Sequence, residues 1–142
     1  RMSSEPAGPF PSPRRPKTSK SDLRSVMDNI GESFRDRLMR FIREKGLTET
    51  EVYKRAFIDR RLFSKIRCDP GYTPKKETAL ALALAMRLDA DETAELLRCA
   101  GLALSPASKS DLIVLYCMQN SMYDLFKINA LLFEYDQPML GC

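Results

Sequence analysis

The sequence predicts an all-α protein, and three observations carry that prediction. Apolar residues recur at helical rather than alternating spacing. Glycine is scarce, six in 142 residues. Polar cap residues stand in front of successive apolar stretches, as they do where helices begin. Runs of β-branched residues alternating with polar ones, the mark of strands, are missing. With 44% hydrophobic and 30% charged residues over 142 positions, the chain has the length for one domain with its own core and a globular composition.

Residues 1–22 hold five of the nine prolines and almost no hydrophobic side chains, so burial cannot offset the entropy of ordering them. They read as a proline-rich linker or tail, and the opening at Arg1 as part of a longer chain. Arg14, Arg15, Lys17 and Lys20 could also serve as a basic arm against phosphates. Residues 23–142 read as a single helical domain, with 32–100 forming a bundle and 101–142 a helical extension. A short helix is expected from Asp22 to Asn29 on Leu23, Val26 and Met27, and Gly31 breaks the chain after it.

The next helix is expected from Glu32 to Lys45, with Phe34, Leu38, Phe41 and Ile42 on its core face and Gly46 stopping it. Thr48 and Glu51 form a capping box that starts a helix running to about Ala56. Phe57 and Ile58 make a corner, and Asp59 caps a helix ending near Arg67. In that helix Leu62, Phe63 and Ile66 share one side, while Arg60, Arg61, Ser64 and Lys65 share the other. Such a helix is held by its back and offers a basic front. Residues 68–74 are a turn by composition. Thr73 and Pro74 then open a helix to about Arg87, apolar nearly all round and so expected at the centre of the bundle. Asp89 and Glu92 form a second capping box, for a helix that Gly101 ends. Ser105 and Pro106 open a helix to about Gln119 with Leu112, Leu115 and Tyr116 on its face. The last helical stretch, Met122 to Tyr135, is expected to break or kink around Asn129.

Net charge is +4, but it is unevenly spread. Residues 1–67 carry 17 Lys/Arg against 9 Asp/Glu, and residues 68–142 carry 6 against 10. A basic front half suits a polyanionic partner. There is no histidine, which removes Ser-His and Cys-His catalysis. The carboxylate pairs Asp89/Asp91 and Asp124/Asp136 remain, the first at a helix start where acids complement free N–H groups. The chain reads as no enzyme and as needing no cofactor. A zinc site would require all four cysteines, which lack any CxxC spacing, so no metal is expected. The longest apolar run, Ala79 to Met86, is too short to span a bilayer, and no export leader opens the chain. The expected setting is cytoplasmic, away from membranes, with reduced thiols, three of the four at core or semi-core positions.

The order of a helix, a T-x-x-E helix, a corner, an amphipathic helix, then P-x-x-E-T-A-L-x-L-A and L-x-x-D-E resembles the Cro/C1-type, lambda-repressor-like helix-turn-helix (XRE) domain. The resemblance covers about Glu32 to Leu97. It rests most on Leu47-Thr48, Ser64-Lys65-Ile66, and Pro74 with Thr78, Leu80, Leu82 and Ala83. It implies a five-helix lambda-repressor-like bundle plus about two extra C-terminal helices. The implied function is sequence-specific binding of double-stranded DNA in transcription regulation. The helix at 59–67 would lie in the major groove, and dimers would read paired half-sites. By position, Thr48, Arg60, Arg61, Ser64, Lys65 and Arg67 become the DNA-binding residues.

Three positions depart from that pattern. Tyr53 replaces a small residue, usually Ala, and Glu49 replaces a frequent Gln. Phe57 replaces a left-handed Gly, which implies either a strained phenylalanine or a corner built differently. These departures suit the alternative function, a protein-interaction or regulatory module on the same fold, fused to or partnering an effector or sensor domain. The stretch from about Ser33 to Gly141 also resembles bacterial C-terminal modules of this kind, some beside a macro domain. Those share a D-Q-P-hydrophobic-Leu-Gly ending, as at Asp136–Gly141.

Overall fold

The computed structural model describes residues 20–141 of the chain and the side chains of 22–141. Within them there are eight helices and no strand. The chain divides into two units, Arg1–Gly31 and Glu32–Cys142. In the first, α1 (Lys20–Asp28) begins two residues before the expected start. It leaves Leu23, Val26 and Met27 exposed. The rest of the expected linker, residues 1–19, and Cys142 lie outside the described residues.

The second unit contains α2 (Phe34–Glu44), α3 (Glu49–Arg55), α4 (Arg60–Cys68), α5 (Lys76–Ala85), α6 (Ala90–Cys99), α7 (Lys109–Gln119) and α8 (Leu125–Glu134). Every residue from Ala79 to Ala85 is buried, so α5 is the centre expected of a helix apolar on all sides. It packs against α3, α6 and α8. Alternating alanine and leucine let neighbours approach closely while each buried Leu contributes roughly 2 kcal/mol of transfer free energy. α2 lies on α6 with Phe34, Leu38, Phe41 and Ile42 buried, as expected. Ion pairs from Arg37 to Glu95 (3.0 Å) and from Lys45 to Glu92 (3.2 Å) fasten its outer edge. Glu32 takes hydrogen bonds from Arg40 and Arg37, and these bring its carboxyl from the ordinary 4.5 down to about 2.

Helix ends follow one recipe. After α2, α3, α5, α6, α7 and α8 comes a single residue in the left-handed region: Gly46, Phe57, Arg87, Gly101, Ser121 and Asp136. The residue after it donates its N–H back across the last turn, as Leu47 does to Ile42 O (3.0 Å) and Ile58 to Tyr53 O (3.0 Å). This is the Schellman ending, which uses up carbonyls that the helix leaves unpaired. In the first three cases the following residue is a cap. Gly46-Leu47-Thr48 leads into α3, Phe57-Ile58-Asp59 into α4 and Arg87-Leu88-Asp89 into α6. Phe57 therefore does not rebuild the corner: at φ 57° it occupies the left-handed position itself.

Three expectations need correcting. α5 starts at Lys76, because Pro74 is buried ahead of the helix and the cap position falls to Lys75, which brings no side-chain hydrogen bond. α7 starts at Lys109 behind Ser108, and its buried residues are Asp111, Val114, Cys117 and Met118, with Leu112 and Tyr116 exposed. α8 runs unbroken through Asn129, whose side chain is turned inward to bond the backbone of Leu140 rather than to compete with its own helix. Of the three described cysteines only Cys117 is buried and Cys99 half-buried, while Cys68 is exposed. All three are free thiols, and burial pushes the Cys117 thiol pKa up.

Candidate nucleic-acid interface

α4 is short, and its placement is decided at both ends. Asp59 Oδ1 accepts the Leu62 N–H (2.8 Å) at the start. At the other end Arg35, from α2, donates Nε to the Arg67 carbonyl (2.8 Å), one of the orphan carbonyls of the last turn. Phe63 and Ile66 are buried and Leu62 half-buried. Arg60, Arg61, Lys65 and Arg67 are exposed and Ser64 is half-buried. The two-sided helix expected from its spacing is the one observed.

The six site residues do not share one condition. Arg60 and Arg61 make no ion pair among the described residues, so their guanidinium groups are open to a ligand. Lys65 Nζ stands 5.1 Å from the centre of the Tyr72 ring, a cation–π contact. Arg67 Nε pairs with Glu49 Oε1 at 3.2 Å, tying the last turn of α4 to the first of α3. The Thr48 hydroxyl accepts the Glu51 N–H (3.1 Å) and donates to the Glu51 carboxylate, which also accepts the Thr48 N–H (3.0 Å). These bonds, the backbone one foremost, hold the Glu51 carboxyl below its ordinary range. Thr48 is thus committed to the cap.

Tyr53 fills the crossing of α3 and α4. Its ring lies 5.5 Å from that of Phe63, tilted by 42°, a favourable aromatic pair. An open groove of about 410 Å³ runs beside this pair, bordered by Glu49, Tyr53, Arg60, Ser64 and Arg67. Residue spacing pointed to the basic face but not to Arg35 and Tyr72, which position it. Arg35 is one of several arginines on the outer side of α2, and nothing local marks its reach to α4.

A second exposed surface differs in kind. On α7 Leu112 is 49% and Tyr116 58% exposed, and Tyr135, just after α8, is exposed beside them. With Ile113 and Leu131 they border a shallow apolar groove. No described group of three or more His, Cys, Asp or Glu side chains is placed to hold a metal ion. No helix among the described residues is long and apolar enough to cross a membrane. No family model, curated protein or solved structure matches the chain.

Proposed function

We propose that this protein is a sequence-specific DNA-binding transcription regulator of the Cro/C1, lambda-repressor-like type. In this reading α2–α6 are the bundle and α4 enters the major groove. The observation that carries it is the outer face of α4, where Arg60 and Arg61 stand exposed, with no ion pair among the described residues, beside Ser64 and Lys65. An arginine can pair bidentately with guanine, and exposed cations displace counterions from phosphates. Thr48 and Arg67 take supporting parts, one ordering the start of α3 and the other fixed to Glu49. Two copies would read two half-sites.

Fluorescence anisotropy with a selected-site duplex and a random duplex across a salt series tests this. The expected result is salt-steep, site-selective binding that Arg61→Ala weakens by about ten- to a hundredfold. No binding at about 50 mM salt, where basic contacts are strongest, would overturn the proposal.

The apolar Leu112, Tyr116 and Tyr135 favour a second reading, a protein-interaction module with a fused or separate partner domain. Under it Arg61→Ala changes nothing and Tyr116→Glu abolishes the partner's binding.

A further inference from the structure

The last described residue, Gly141, abuts the corner between α3 and α4. A Cβ built on it would fall 2.4 Å from the Ala56 carbonyl oxygen and 2.9 Å from Phe57 Cβ. Its φ is +84°, a region open to glycine and costly for other residues. Only glycine brings the tail this close.

The approach is anchored from behind. In the middle of α8, Asn129 donates Nδ2 to the Leu140 carbonyl (3.1 Å) and accepts the Leu140 N–H at Oδ1 (2.7 Å). One buried amide thereby satisfies both backbone groups of a residue whose side chain is itself in the core. Upstream, the Gln137 N–H bonds Leu132 O (2.8 Å), and the Ser110 hydroxyl donates to Gln137 Oε1 (3.0 Å). The segment 136–141 is therefore fastened to α7 and α8 before it reaches the corner.

That corner is the one where fastening matters. It makes the same two turn bonds as the α2–α3 corner, from Phe57 N–H to Lys54 O and from Ile58 N–H to Tyr53 O. The earlier corner places glycine at its left-handed position, whereas this one places a phenylalanine with a half-exposed ring. Its steric cost is offset by little packing of its own.

We propose that residues 136–141 are a strap that locks the α3–α4 corner, with Asn129 and Gly141 as positioning residues for α4. The extension then has a task inside the bundle, since it fixes how the basic helix is presented. Only that last consequence rests on the DNA reading; the strap itself does not.

Amide hydrogen exchange, read residue by residue on the full chain, tests it in Gly141→Ala and Asn129→Leu. The strap predicts that Phe57 and Ile58 exchange about tenfold or more faster in both variants, while Gly46 and Leu47 keep their parent rates. Equal acceleration at both corners would reveal a general loss of stability and overturn the proposal, and so would unchanged rates at the α3–α4 corner. Gly141→Ala removes no core side chain, so it decides the matter alone should Asn129→Leu not fold. DNA affinity is read separately. A parent chain that binds no DNA overturns the DNA reading and leaves the exchange result to judge the strap.

Discussion

α4 and α7 are both helices of this unit with one face buried and one exposed, yet they reach that state by opposite means. In α4 the residue types decide, with Phe63 and Ile66 inside and arginines and lysine outside. In α7 every residue from Leu112 to Met118 is apolar, so composition cannot choose among them. The choice falls to Asp111, which is buried and accepts hydrogen bonds from Lys76 Nζ (2.5 Å) and the Ser105 N–H (2.7 Å). A carboxylate, the least apolar group of the helix, sets which apolar residues go inside. Leu112 and Tyr116 are left out as a consequence.

Substitutions on the buried side should separate the two cases most strongly. Phe63→Ala in α4 should cost about 4 kcal/mol through the cavity it leaves, read as a lowered midpoint in urea unfolding. Asp111→Ala in α7 should cost about 3 kcal/mol, because it strands Lys76 and the Ser105 N–H although it removes a charge. A loss below about 1 kcal/mol at Asp111 would show that the α7 face is chosen by its apolar residues after all. Next in size is Thr48→Ala, expected to cost about 1 kcal/mol by opening the capping box of α3. On the exposed sides, Arg60→Gln and Leu112→Gln should each change stability by no more than about 0.5 kcal/mol. A larger drop for Leu112→Gln would mean that the face is covered in solution.

The smallest effect expected is electrostatic. Glu32 is held at about 2 by Arg40 and Arg37 instead of the ordinary 4.5. A depressed carboxyl stabilises the fold above the unfolded value, and this contribution fades as pH falls toward the folded one. The melting temperature should therefore fall between about pH 5 and about pH 2.5, and Glu32→Gln should flatten that slope. Parallel slopes for the two proteins would count against the network.

The same contrast explains what could be read from the chain beforehand. α2, α4, the buried α5 and both capping boxes were legible because local patterning and tertiary packing agree there. The α7 face was not, since 112, 115, 116 and 119 satisfy helical spacing as well as 111, 114 and 118 do. Asn129 reads as a break because asparagine favours turns. Its partner, Leu140, lies eleven residues on, and no local rule connects them. At the basic face the residue types were legible but their partners were not. Arg67 reads as an open contact, while Glu49 holds it in the folded chain.

Of the six helix endings only two use glycine at the left-handed position. Each of Phe57, Arg87, Ser121 and Asp136 holds a shape that disfavours side chains by about 1–2 kcal/mol. Arg87, Ser121 and Asp136 lie outside α4, and glycine or asparagine there would relieve a cost without replacing any residue of the basic face. The chain thus carries unused headroom: a protein engineer could raise its melting temperature at its bends while leaving every core and surface helix residue as it is.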